Sequence, residues 1–166
     1  MTQFWLVPAD EPSFLETLVE PCDLTNAPNK PDSFPDHARI WGFRTDSEHP
    51  EAPWDRNKRN SQKMAEGDPL LIYRNRRSHY VAFGRVGGPI WHTEWVRDKF
   101  WNGGPALDIF YIDQWTPVDL EPKTVNQLLG YKEKFVPQGL WRVADDRPID
   151  RLLQHIDEEV TNEDEL

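Results

Sequence analysis

The chain has 166 residues, 29 acidic against 19 basic, a formal net charge of -10 and a single cysteine. This length fits one domain with one core, expected at residues 1–158, with 159–166 as an acidic tail or the start of a linker. One cysteine excludes an intrachain disulfide and gives no zinc motif, and nothing resembles a secretory leader or the roughly 18 apolar residues of a membrane span, so a reducing, cytoplasmic setting away from membranes is expected.

Phe4 to Val7 predicts a short buried strand ended by Pro8, and Asp10 is placed to cap a helix that has Pro12 in its first turn. Over Glu11 to Glu20 that helix sets Phe14, Leu15 and Leu18 on one face. Pro21, Pro28, Pro31 and Pro35 mark an irregular loop, Ala38 to Phe43 a strand, and Arg44 to Asp55 a second loop. Asn57 to Ala65 fits a short basic helix, followed by the turn Gly67-Asp68-Pro69. Leu70 to Tyr73 and Tyr80 to Val86 predict an antiparallel pair whose tip carries Arg74, Arg76 and Arg77, and Gly87-Gly88-Pro89 ends it. After the segment Trp91 to Trp101 come a strand at Leu107 to Ile112, a helix at Pro122 to Leu129, a short strand at Leu140 to Val143 and a closing helix at Pro148 to Val160. Strands with interspersed helices and a central hairpin imply an α+β domain with a curled mixed sheet flanked by short helices.

The acidic excess argues against a nonspecific nucleic-acid binder, yet its distribution leaves two basic islands, Arg56 to Lys63 and Arg74 to Arg77. Lys58 and Arg59 in the first, and Arg74, Arg76 and Arg77 in the second, are the candidate phosphate contacts, because the guanidinium fork matches phosphate. Arginine outnumbers lysine 12 to 7. With the acidic excess, this suits a protein working in concentrated salt, where counterion release weakens and stacking must carry recognition.

No catalytic pattern stands out. There is no GxSxG, HExxH or phosphate-cradling glycine loop, and His37, His49, His79, His92 and His155 are scattered without metal-ligand spacing. Neither a metal nor a cofactor is implied, and a binding role is favoured over an enzymatic one.

Eight tryptophans are the outstanding feature. Trp5, Trp115 and Trp141 lie in or beside predicted strands and read as core. Trp41 ends a strand and precedes Gly42, where a backbone can approach a ligand closely. Trp91 and Trp95 are four apart, so they share a face if helical or stand as opposing walls if not; core packing is the competing reading for each. Trp101, beside a Gly-Gly turn, is left open between the two.

Taken in order, Phe4-Trp5-Leu6-Val7-Pro8, Ile40-Trp41, Gly67 to Tyr73, Tyr80 to Val86, the tryptophan segment, Leu107 to Ile112 and Pro137-Gln138-Gly139-Leu140-Trp141-Arg142 resemble the PUA-like superfamily, in its EVE and YTH branch. The resemblance implies a partial barrel that holds a flipped-out modified base in an aromatic cage. It puts one cage wall at Trp41 and the second at Trp91 or Trp95, with a polar base contact near Asp10; Gly42 is the place where the backbone itself could meet a base edge. The sequence departs from the pattern at both polar places: Asp10 stands for an asparagine or serine, and Gly42 for a small polar residue. The implied function is noncatalytic reading of a methylated base, in DNA ahead of RNA and N6-methyladenine ahead of 5-methylcytosine. This is the role of a specificity domain in a McrB-type modification-dependent restriction system, with a downstream NTPase or nuclease domain or subunit as partner. The alternatives are an RNA-binding domain of the same superfamily and an ASCH-like hydrolase, which needs a lysine and an acid in one pocket.

Overall fold

The computed structural model describes residues 3–44, 54–103 and 106–164. Along the chain run β1 (Trp5–Ala9), α1 (Glu11–Thr17), β2 (Cys22–Asp23), β3 (His37–Arg44), α2 (Trp54–Ser61), β4 (Pro69–Arg74), β5 (His79–Val86), β6 (Trp91–His92), α3 (Trp95–Phe100), β7 (Ala106–Leu120), α4 (Pro122–Leu129), β8 (Trp141–Arg142) and α5 (Ile149–Asp164). The strands make one sheet in the order β2-β3-β7-β5-β4-β1-β8, with β6 paired to β7 off that path. The sheet curls without closing, the α+β architecture implied by the order of strands and helices. β1 and β4 are parallel, a pairing that needs a long crossover, and the chain from α1 to α2 provides it.

A strand buried on both faces reads as a continuous apolar run. β1 is such a strand: Trp5, Val7 and Ala9 enter one cluster, while Leu6, with the preceding Phe4, enters another. The first cluster takes Trp41 and Phe43 from β3, Leu70 and Ile72 from β4 and Phe110 and Ile112 from β7. The second is covered by Val125 and Leu129 of α4 and Leu152 and Ile156 of α5. A third gathers Phe34, Trp91 and Val96 over Ile40 and Ile109. Trp5 is fully buried and donates its indole N–H to Asp68 at 3.0 Å, as suits a core tryptophan.

Irregularities in register decide which residues face which cluster. Tyr80 and Ala82 stand two apart in β5 yet enter different clusters, because the pairing with β7 shifts between them. The break predicted at Gly87-Gly88 has a packing cause. A Cβ on Gly87 would lie 1.9 Å from the Tyr111 ring, whose hydroxyl donates to the Gly87 carbonyl at 2.6 Å.

Several boundaries differ from those predicted. β7 continues through Trp115 to Leu120 instead of ending at Ile112, because its second half pairs with β5. β2 forms within the proline-rich loop by pairing with β3, and α1 ends at Thr17. α2 spans Trp54–Ser61, three residues ahead of its predicted start, and most of the loop predicted before it lies outside the described residues. α5 runs through Asp164, so much of the expected acidic tail is helical. Among the described residues no helix is long and apolar enough to cross a membrane.

Candidate functional site

Among the described residues β8 pairs only with Trp5 and Leu6 and nothing pairs with β1 on that side beyond Leu6, where Pro8 is tolerated. A cavity of about 160 Å³ opens there, lined by Val7 and Pro8 of β1, Asp10, Trp41 to Phe43 of β3, Asn57 of α2, and Gly139 and Leu140 ahead of β8. β1 and β3 are four strand positions apart in the sheet. Flat, they would stand about 19 Å from each other at ~4.8 Å per strand. The curl brings Val7 and Trp41 to one cavity.

Its polar groups are held from two sides. Asp10 caps α1, its Oδ2 accepting the Ser13 amide at 3.2 Å, while Oδ1 has no partner among the described residues. Opposite, α2 clamps the Leu140 peptide. Asn57 Oδ1 accepts the Leu140 N–H at 3.0 Å, and Asn60 Nδ2 donates to the Leu140 carbonyl at 2.8 Å. Both amide residues are buried, so this clamp satisfies a peptide that would otherwise be orphaned. Neither asparagine stood out in the sequence. Their three-residue spacing in a helix is the signal that could have found them.

The tryptophans divide sharply. Trp41 walls the cavity and is 7 % exposed. Its aromatic neighbour is Trp101, edge-on at 6.0 Å between centroids and 72° between planes. Gly42 contributes backbone to the cavity, while its missing side chain makes room on the other face of β3: a Cβ would lie 2.6 Å from Ile109 Cδ1 and 3.1 Å from the Trp101 ring. Trp91 does not line the cavity. It is buried in the third cluster, edge-on to Phe34 at 5.3 Å, because its strand pairs with Ile109 on the opposite face of the sheet. Trp95 packs on the same cluster, with Phe100 beside it and the Lys99 ammonium 4.7 Å over its ring. Two parallel indole walls are thus not formed by Trp41 with Trp91 or Trp95. Trp115 packs against the first cluster under the Arg39 guanidinium at 4.9 Å, and Trp141 donates to Tyr131 Oη at 3.1 Å.

The basic groups are sorted by their partners. Arg74 is taken up by the fold, forked onto both carboxylate oxygens of Glu11 and lying 4.4 Å over the Phe14 ring. That hydrogen-bonded pairing holds the Glu11 carboxyl below its ordinary range, and the charges of Arg74, Arg76 and Arg77 act in the same direction. Arg76 and Arg77 are exposed on the turn between β4 and β5. The Asn75 amide donates to the Ala9 carbonyl at 3.0 Å, which fixes that turn next to Asp10. Lys58 and Arg59 are exposed on α2, in sequence beside Asn57. Exposed cations therefore stand on both elements that flank the cavity. Cys22 is remote from it, and burial pushes its thiol up to about 11. Among the described residues no three His, Cys, Asp or Glu side chains gather as a metal site.

No protein-family profile matches the chain, and no curated protein matches it. Solved structures do. The N-terminal domain of Thermococcus gammatolerans McrB bound to m5C DNA superposes with a TM-score of 0.67 at 16% identity, over 95% of this chain and 98% of that one. The YTH domain of Zygosaccharomyces rouxii MRB1 in complex with N6-methyladenosine RNA superposes with a TM-score of 0.57 at 13% identity, over 93% of this chain and 86% of that one. At these identities the likeness is one of fold: the chain has the curled-sheet fold shared by these two domains.

Proposed function

We propose that this protein is a noncatalytic reader of a modified nucleobase in nucleic acid, and that the base, turned out of its stack, enters the cavity between Asp10 and Trp41. The observation that carries the reading is the cavity itself. It joins an indole wall, an unpaired carboxylate oxygen and main-chain groups in about 160 Å³, below the size of ordinary small-molecule sites and suited to one heterocycle. An ionised carboxylate only accepts hydrogen bonds, so Asp10 favours a base with an exocyclic amine. Cytosine and adenine both have one. N6-methyladenine keeps one amine hydrogen, enough for one carboxylate oxygen, but has two fused rings, whereas a C5-modified cytosine has a single ring and suits the small cavity better. The reading therefore places a C5-modified cytosine ahead of N6-methyladenine.

The two structures of like fold, one bound to m5C DNA and the other to N6-methyladenosine RNA, support a methylated nucleic acid as partner. DNA comes first, with the protein acting as specificity domain of a modification-dependent restriction system beside an NTPase or nuclease partner. Arg76, Arg77, Lys58 and Arg59 would hold the backbone on either side of the base. A hydrolase would ask for a lysine facing the acid, and among the described residues the cavity is lined by Asp10 and no lysine.

Fluorescence anisotropy tests the reading with matched oligonucleotides, single-stranded and duplex, DNA and RNA, that are unmodified or carry 5-methylcytosine or N6-methyladenine. The expected result is tighter binding of modified DNA, with the preference lost in Trp41→Ala while its circular dichroism stays native. Equal affinity for all oligonucleotides overturns the proposal, and a preference confined to RNA moves the partner to RNA.

A further inference from the structure

Beside the base cavity lies a second, larger one of about 410 Å³, and the two share the wall formed by Pro8, Asp10 and Gly139. Its other lining includes Tyr73 at the end of β4, Asn75 in the turn after it, and Gln138. The Tyr73 ring is held edge-on by Tyr80 at 5.2 Å, and Asn75 is anchored through its amide to Ala9. The side-chain amides of Asn75 and Gln138 have no partners among the described residues and belong to exposed positions. A carboxylate, a phenol and two unengaged amides thus surround a space more than twice the volume of the neighbouring one.

A methyl group calls for none of this. It needs apolar contact and little room, whereas two amides and a carboxylate supply the mixture of donors and acceptors that hydroxyl groups require. The geometry of cytosine supplies the connection. Its amine sits on C4, next to C5, so a base whose amine donates to Asp10 directs its C5 substituent along the same residue, which also walls the second cavity. We infer that the second cavity receives a sugar joined to C5 of the bound base through a hydroxymethyl group. This rests on the base-reading function proposed above and adds to it the class of modification read. Pro8, Val136 and Pro137 give the cavity apolar surface for the C–H side of a sugar.

The test uses the full chain and one DNA sequence carrying, at a single position, cytosine, 5-methylcytosine, 5-hydroxymethylcytosine or glucosylated 5-hydroxymethylcytosine. The expected order places the glucosylated base at least level with 5-methylcytosine and 5-hydroxymethylcytosine, and all three above cytosine. Gln138→Trp, filling the second cavity from an exposed position, is expected to lower affinity for the glucosylated DNA at least tenfold and leave 5-methylcytosine binding unchanged. Asn75→Ala is expected to cost the glucosylated DNA about three- to tenfold, the worth of one hydrogen bond. Tight binding of 5-methylcytosine with exclusion of the glucosylated base overturns this inference and spares the base-reading function. Failure to distinguish any modified DNA from plain DNA overturns both. Tight glucosylated binding untouched by Gln138→Trp places the sugar elsewhere and overturns the assignment of this cavity.

Discussion

Trp101 stands edge-on to Trp41, and its indole N–H is buried without an acceptor among the described residues. The ring therefore serves by shape alone, bracing the back of the cavity wall while its polar atom contributes nothing. Removing the ring should cost about 3 kcal/mol of stability in Trp101→Ala through the cavity it leaves. Trp101→Phe keeps a ring edge against Trp41 and removes an unsatisfied donor, so it should cost less than about 1 kcal/mol. Urea denaturation of the two variants decides the matter; equal losses would show that a phenyl edge cannot replace the indole against Trp41.

The α2 clamp on Leu140 links a helix to the strand end across the cavity. Asn57→Ala and Asn60→Ala each leave one buried backbone group of Leu140 unpaired, at about 1–3 kcal/mol. The denaturation midpoint should fall with an unchanged slope. Under the proposed function, modified-base binding should weaken as well, because the Gly139-Leu140 wall loses its anchor.

The three arginines of the hairpin tip should separate by experiment. Arg74→Ala should destabilise the fold, since Arg74 pairs with Glu11 and covers Phe14. Arg76→Ala and Arg77→Ala should leave stability within about 0.5 kcal/mol, as exposed substitutions do. Each should weaken binding to modified and plain DNA alike and reduce the slope of log K against log salt by about 1. A titration series in salt checks this, and loss of base selectivity instead would put these residues at the base.

The same pair sets part of the acid limb of stability. The carboxyl of Glu11 is held below its ordinary value of 4.5 in the folded state, chiefly by the hydrogen-bonded Arg74. A carboxyl lowered on folding stabilises fully above its unfolded pKa, and that contribution is lost as pH falls through the folded one. Glu11→Gln should therefore be less stable than the native protein at neutral pH and converge with it in acid. Denaturation midpoints from pH 7 down to pH 3 read this directly, and a constant difference across the range would contradict it.

The Asp10 cap was legible because capping is local: a carboxylate three residues before the amide it accepts, with Pro12 in the first turn. The hairpin tip was legible for the same reason. Trp91 and Trp95 show where such reading stops. Their spacing fits a shared face, yet Trp91 lies in a two-residue strand and Trp95 opens α3, and both pack on the side of the sheet away from Trp41. Arg74 has the same sequence setting as Arg76 and Arg77, but a glutamate 63 positions away claims it.

By itself, the sequence determined the α+β class, the burial of β1, the cap at Asp10 and the exposed cations at the hairpin tip, because each follows from periodicity or contacts within a few residues. Only the tertiary structure decided which tryptophan walls a cavity with Asp10 and where the second cavity lies. Those depend on the curl that brings β1 to β3 across three intervening strands, and on the α2 clamp that draws Gly139 and Leu140 over the uncovered end of β1. The physical reason is that strand curvature and long-range pairing are set by the packing of the whole core, which no short stretch of the chain encodes.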